Sequence, residues 1–325
     1  MLPSISVVMG VYNDAASVPA AVESIRAQTL TDWELILVND GSTDRTTSLL
    51  DRLAASDRRI SVIHQANAGL TQALIRGCVQ ARGTFIARQD ADDVSDPRRF
   101  ERQRALLESH PDVGIVSCWA QYVGPENEPL EVVTRPANPA EATALLVDDH
   151  QGLPAHGTAM YRRSLYEAVG GYRPEFYFSQ DIDLWLRMTE RAQLAYVAEP
   201  LYRYRRCAAG ISGTQAATQA EFGRLAFASR AARDRGESDA LLLQQAAGLA
   251  ASIRETRQTG RSGARPAPEM LYIIGTQLAR NGDPRAASYL WSIVRRRPWH
   301  WRAWARLLQS QIGRRAVSPE QVSPT

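Results

Sequence analysis

The chain has 325 residues, 44% hydrophobic and 22% charged, with 38 basic against 35 acidic side chains for a net charge of +3. That length exceeds one average domain, and the well-mixed charge excludes disorder over most of the chain and any general electrostatic pull on nucleic acid. Cys78, Cys118 and Cys207 are odd in number, widely spaced and without a CxxC pair, so neither a disulfide framework nor a zinc knuckle is indicated, and a reducing cytoplasm fits.

Met1-Leu2-Pro3-Ser4 passes directly into a strand, without the basic and apolar segments of a signal peptide. Strand-like runs follow at Ile5–Val11, Trp33–Asn39, Ile60–Gln65, Thr84–Gln89 and Gly114–Val123. Between them lie helical patterns whose starts are marked by Ser17 before Pro19, Asp44 after Gly41-Ser42, and Thr71 after Gly69. The alternation predicts crossover units and a doubly wound, mostly parallel α/β sheet. Ligands of such sheets bind at the carboxyl ends of the strands. Four segments stand there: Tyr12-Asn13-Asp14, Asp40-Gly41-Ser42, Asn67-Ala68-Gly69 and Asp90-Ala91-Asp92-Asp93. Any one is an ordinary cap or turn. All four together mark a site.

Carboxylates as close as Asp90, Asp92 and Asp93 repel one another, and a hard divalent cation such as Mg²⁺ or Mn²⁺ relieves that repulsion while binding diphosphate oxygens. Taken alone a DxD is weak, because any acidic turn matches it. The first strand lacks GxGxxG and no GxxxxGK[ST] is present, which disfavours a dinucleotide enzyme and a P-loop kinase. Asp40, ending the second strand, is placed to accept hydrogen bonds from a base or ribose.

Further along, a helix over 139–147, a strand over 158–162, a turn at Gly170-Gly171, a helix over 181–191 and a strand over 194–198 form an acceptor-facing half. His156 precedes one of these strands and is a candidate for the acceptor cleft, although a lone histidine is commonly structural. Asp181 starts a helix beside Ile182, Leu184 and Trp185, where partial desolvation would make its carboxylate basic enough to take a proton; the alternative is an N-cap. Asp183 competes for that role but is turned roughly opposite on the helix.

After Gly213 the composition shifts to helices rich in Ala, Arg, Gln and Leu, interrupted by a loop at 259–268 and ending in a frayed tail at 317–325. The domain reading is 1–213 catalytic, with a division near 124/125, and 214–316 a helical extension. Residues 270–308 read as helix, turn at Asn281-Gly282-Asp283-Pro284, helix, stop at Pro298 and a third helix, faintly like one tetratricopeptide unit. The apolar face Ala286, Ala287, Leu290, Ile293 must then pack on the catalytic domain, on a second copy in a homodimer, or on a partner. The run Arg295 to Arg306 interleaves indoles with guanidiniums, which suits either an anionic headgroup layer or plain helix packing with a solvated face.

Read as a set, the motifs Ile5 to Asn13, Trp33 to Asp44, Asn67-Ala68-Gly69-Leu70, Ala81-Arg82-Gly83, Asp90-Ala91-Asp92-Asp93 and Gln180 to Trp185 occur in one order over about 210 residues. In them the chain resembles an inverting family 2 glycosyltransferase of GT-A fold. The resemblance implies a nucleoside-diphosphate sugar donor, with UDP favoured, whose base meets Val11, Tyr12, Asp14 and Asp40 and whose ribose or metal meets Asp90 and the adjoining Ala91. It implies Asp92 as the main ligand of Mg²⁺ or Mn²⁺ and Asp181 as catalytic base. Leu74 and Ile75 stand where relatives often have Arg-Asn, leaving Arg76, Arg88 or Arg98 for the diphosphate, and Cys207 stands where a metal-linked His is frequent. The acceptor expected is a glycan or lipid-linked glycan in cell-surface polysaccharide or lipopolysaccharide assembly, with contact at the inner face of the cytoplasmic membrane. The rival reading is a decayed nucleotide-sugar-binding or scaffold protein, against which stands the joint presence of Asp40, Asp90, Asp92 and Asp181. Donor sugar, nucleobase, acceptor and linkage are not legible.

Overall fold

The structure is a computed structural model that describes residues 2–207, 215–258 and 268–315. The compositional break at Gly213, the loop after Gln258 and the 317–325 tail lie outside the described residues. The chain divides into two compact units. One comprises Met1–Ala120, Val132–Tyr204 and Ala217–Ser262, and the other Gln121–Glu131, Arg205–Ala216 and Gly263–Thr325.

The first unit is built on four parallel strands: β1 (Ile5–Val11), β2 (Trp33–Asp40), β3 (Ile60–Gln65) and β4 (Phe85–Arg88). They lie in the order β3-β2-β1-β4. While β3 at the sheet edge is only partly buried, both faces of β1, β2 and β4 are covered. Along them, alternate side chains therefore enter two separate cores, which is why the runs read as continuously apolar. Val8, Ile36, Val38 and Ile86 enter one core; Val7, Met9, Leu35, Leu37, Phe85 and Ala87 enter the other. Helix α1 (Val18–Arg26) turns Val18, Ala21, Val22 and Ile25 into the second core, while α3 (Leu70–Gln80) turns Ala73, Leu74 and Cys78 into the first. Between them in sequence is α2 (Thr46–Ser56).

Beyond β4 come the two-residue β5 (Val94–Ser95), α4 (Arg99–Ser109), β6 (Val113–Val123), β7 (Pro129–Val133) and α5 (Pro139–Val147). Next are β8 (Met160–Arg162), α6 (Arg163–Ala168), α7 (Gln180–Met188) and β9 (Gln193–Arg205). The sheet continues from β4 through β8, β6 and β9 to β5, with β8 antiparallel to both β4 and β6. The strand predicted over 158–162 is shorter, because His156–Thr158 forms a 3₁₀ turn. The strand predicted over 194–198 runs on to Arg205. Strand order reverses about β1, so the crevice faces the ends of β1, β2 and β4.

Helices α8 (Ala216–Asp234) and α9 (Ala240–Gln258) follow. Phe222, Leu225, Ala226, Ala246 and Ala250 are buried in the same core as Leu184 and Trp185. Arg173 and Arg233 both pair with Asp239 at 2.8 Å, tying the turn before α7 to these helices.

In the second unit are α10 (Pro268–Arg280), α11 (Ala286–Arg296) and α12 (Trp301–Arg315). The apolar face expected to need another domain or a second copy is covered inside this unit. Leu290, Ile293 and Val294 pack with Ala303 and Leu307, while Ala286 joins Ile274, Leu278 and Leu130. Leu130 and Tyr122 come from the β6–β7 hairpin, and Asn281 Nδ2 donates to the Leu130 carbonyl at 2.7 Å.

Candidate active site

The end of β1 is locked to the start of the segment after β2. Asn13 adopts a left-handed backbone (φ 49°), and its Oδ1 accepts from the Thr43 N–H at 2.7 Å while its own N–H donates to Ser42 Oγ at 3.0 Å. The half-buried Asp14 donates its N–H to Thr46 Oγ1 at 3.0 Å. Tyr12 is exposed at the strand end, whereas Val11 points into the core.

Asp40, 4% exposed, holds the next loop. Its carboxylate accepts from Gln65 Nε2 at 2.7 Å, the Ala68 N–H at 2.8 Å and the Gly69 N–H at 2.9 Å. Gly69 has φ 91° and a Cβ there would fall 2.7 Å from the Tyr177 ring, so both its backbone and its neighbour demand glycine. Asn39 uses its amide as donor to Thr47 Oγ1 at 2.9 Å.

Beneath the β4 end lies Arg88, with no exposed surface. Its guanidinium donates to Asp90 Oδ1 at 2.5 Å, to His156 Nε2 at 3.2 Å and to the carbonyls of Val8 (2.5 Å) and Gln89 (2.9 Å). One buried cation thus joins β1, β4, the acidic turn and the 3₁₀ turn. The Tyr202 hydroxyl accepts from the Asp90 N–H at 3.1 Å. Gly157 lies so close that a Cβ would meet Tyr202 Oη at 2.0 Å and Asp90 Oδ2 at 2.8 Å.

The Tyr172 hydroxyl, 2.7 Å away, also donates to His156 Nε2, so the neutral ring carries its proton on Nδ1. Burial first, and then the neighbouring Arg88, hold its pKa well below 6.5. Its ring meets Trp185 edge-on at 6.0 Å. His156 thus joins Arg88 to Tyr172 and packs against Trp185 of α7.

Asp181 stands in the first turn of α7, with Oδ1 accepting from the Ile182 N–H at 3.0 Å. Desolvation pushes its carboxyl up to about 6, and Asp90 adds to the rise while Arg88 opposes it. That coupling brings Asp181, Asp90 and Arg88 into one electrostatic neighbourhood. The helix is entered through Ser179, held at φ 54°, whose hydroxyl donates to the Gln219 carbonyl of α8 at 2.8 Å. Such left-handed non-glycine residues are costly and cluster at functional sites.

Asp183 has another environment. It is 1% exposed and bound by Arg187 through contacts of 2.6 and 3.0 Å, and Arg187 in turn donates to the carbonyls of Val169 and Gly171. Asp183 is thus held in a buried ion pair.

Arg76 is exposed on α3, its Nη1 3.5 Å from Gln65 Oε1, and Arg98 pairs with Asp96 and Glu199. Ala91 is nearly buried and Asp92 half-buried. No cluster of three or more His, Cys, Asp or Glu side chains suited to a metal occurs among the described residues. Asp90 and Asp92 are oxygen donors of the kind that hold Mg²⁺, which is commonly bound by one or two carboxylates with the rest supplied by substrate phosphates and water. Cys207 is a free thiol.

Sequence reasoning did not assign the supporting roles of Arg88, Tyr172, Tyr202 and Gly157. For Arg88 a signal exists: residues two apart in a strand share a face, so an arginine in a buried strand two positions before Asp90 points where Asp90 points.

Residues 6–170 match the family described as Glycosyl transferase family 2. EpsE of Bacillus subtilis (strain 168), named as a glycosyltransferase, is 36% identical over 212 residues, covering 62% of this chain and 73% of that protein. EpsJ of the same strain, named an uncharacterized glycosyltransferase, is 34% identical over 219 residues, 63% of this chain and 62% of its own length. Among solved structures, S. aureus TarS 1-349 superposes with a TM-score of 0.56 at 16% identity over 99% of this chain and 93% of that one. The mannosyltransferase PcManGT from Pyrobaculum calidifontis, solved with GDP-Man and Mn²⁺, gives 0.57 at 18% identity over 96% and 87%. TarS 1-349 has also been solved with UDP and with UDP-GlcNAc. The shared architecture is the GT-A fold, here a mostly parallel α/β sheet followed by C-terminal helices.

Proposed function

Because the chain belongs to glycosyl transferase family 2, we propose that it is a metal-dependent enzyme that moves a sugar from a nucleoside diphosphate to an acceptor hydroxyl with inversion. The observation that carries the mechanism is Asp181: a desolvated carboxylate at a helix start, raised to about 6, beside the acidic turn. A base poised near neutrality takes the acceptor proton as the hydroxyl oxygen attacks the anomeric carbon and the diphosphate departs.

On this reading Tyr12, exposed at the β1 end, stacks on the nucleobase, and the Asp40 carboxylate keeps the 67–69 loop shaped to receive base and ribose. Asp14 and the backbone at Val11 and Ala91 complete the donor contact, and Arg76 is the exposed cation available to the donor. Asp92, with Asp90, would hold Mg²⁺ or Mn²⁺, which neutralises the charge that builds on the leaving diphosphate. Arg88 fixes Asp90 from below, and His156 with Tyr172 fixes Arg88.

The nucleotides in the fold neighbours' structures, UDP, UDP-GlcNAc and GDP-Man, support a nucleotide-sugar donor, and we take a UDP-sugar as the first candidate. The acceptor we propose is a glycan or lipid-linked glycan used in surface polysaccharide assembly, met at the cytoplasmic face of the membrane. A panel of nucleotide sugars with and without Mn²⁺ tests the reading by release of nucleoside diphosphate. Release that needs an acceptor, stops without metal and is lost in Asp181→Asn supports it; no release with any donor removes it.

A further inference from the structure

The four tryptophans of the second unit differ from those of the first. Trp33 and Trp185 are buried at 2% and 0%, whereas Trp291, Trp299, Trp301 and Trp304 are 47%, 77%, 69% and 38% exposed. The core of this unit is already filled by Leu290, Ile293, Val294, Ala303 and Leu307. Plain helix packing therefore does not explain the indoles. Trp301, Trp304 and the 57% exposed Leu308 follow one another at helical spacing on α12, and Trp291 of α11 meets Trp304 edge-on at 5.8 Å. Two helices thus share one indole surface.

The charge beside it has one sign. From Glu269 to Gln309 there are seven arginines and two carboxylates, a net charge of +5 in a chain whose total is +3. Both carboxylates are engaged: Glu269 with Arg297 at 2.9 Å and Asp283 with Arg285 at 2.6 Å. Arg295 and Arg296 are exposed near the indoles, and the Arg302 guanidinium lies 5.3 Å from the Trp301 ring centroid.

We propose that this surface, Trp291, Trp299, Trp301 and Trp304 with Arg295 and Arg302, docks the protein on an anionic lipid bilayer. Indoles settle at the headgroup boundary, where their apolar rings leave water and their N–H groups stay solvated, and arginines meet lipid phosphates. An aliphatic Leu308 in the stripe favours a bilayer over nucleic acid, whose bases stack on aromatic rings and whose phosphates attract charge alone. Among the described residues no helix is long and apolar enough to cross a membrane, and the contact we propose is a peripheral one. The proposal locates the membrane contact that the lipid-linked acceptor reading calls for, and rests on that reading for its purpose alone.

The test is co-sedimentation of the full chain with phosphatidylcholine vesicles and with vesicles containing phosphatidylglycerol, at low and high salt. Binding should require the anionic lipid and weaken as salt rises. Arg295→Gln with Arg302→Gln should weaken it about fivefold per arginine, and Trp299→Ala with Trp301→Ala should lower it while leaving sugar transfer to a soluble acceptor, read as release of nucleoside diphosphate, unchanged. That activity measures the catalytic reading separately. Equal binding to both vesicle types, or unchanged binding by both double variants, overturns the proposal. So does a concentration-dependent dimer, or binding of an RNA oligonucleotide, abolished by the tryptophan changes in a protein that ignores vesicles.

Discussion

Two aspartates two residues apart have opposite fates, and each fate is measurable. A base that acts only during transfer contributes little to donor binding, so Asp181→Asn should lower kcat about a hundredfold to ten-thousandfold with nucleotide affinity near normal. In the parent enzyme kcat should rise through an acid limb centred near the raised value of about 6. The same shift predicts stability. The folded carboxyl titrates above its ordinary 3.8, so the native state binds the extra proton between those values and stability is lost as pH climbs through them. Asp181→Asn should therefore melt at a higher temperature than the parent at about pH 8, an advantage that vanishes below about pH 4. Asp183→Asn should do the reverse, keeping turnover per folded molecule but destabilising by about 3–5 kcal/mol, because it strands the buried Arg187 charge. Denaturant titration beside kcat separates the two. The carboxylates were legible because acidic turns at strand ends are rare in such number. Arg88 was less so, since an arginine in a strand reads as a surface residue unless alternation is followed to Asp90.

Strands β1, β2 and β4 could be read almost to the residue because burial on both faces leaves a largely apolar run between turn residues, whereas the edge strand β3 carries exposed Ser61 and His64 between its apolar residues. Elements whose partners are distant were harder. The length of β9 comes from its neighbours in the sheet, and the burial of Leu130 against Ile274 and Leu278 joins residues far apart in sequence, with no local period to announce it. Helix α8 is similar: its composition suggests an appendage, yet Phe222 packs on Phe176 and Phe178 and Gln219 accepts from Ser179, so it grips the segment leading to Asp181. At the 3₁₀ turn, Gly157→Ala should push a methyl against Tyr202 and Asp90, lowering affinity for nucleotide with metal about tenfold or more, roughly the cost of a disturbed supporting shell. Calorimetry with UDP and Mn²⁺ checks this, and unchanged affinity would mean that the crowding relaxes elsewhere.

For the whole molecule, ligand linkage is the natural probe, since whatever binds the folded state raises its melting temperature. A nucleoside diphosphate should stabilise the parent far more with Mn²⁺ than without, and Asp92→Ala should erase the difference while leaving the unliganded melting point in place. Arg88 gives this linkage a particular form. A guanidinium fixed under Asp90 already offsets part of the charge that would attract a free cation, so the two carboxylates alone make a weak trap. The diphosphate supplies the missing oxygens, and by reciprocity each partner tightens the other by the same factor. On the metal-dependent reading, cation and donor would therefore enter as one complex. Free Mn²⁺ should show no saturable heat of binding at concentrations that fill the site once nucleotide is present.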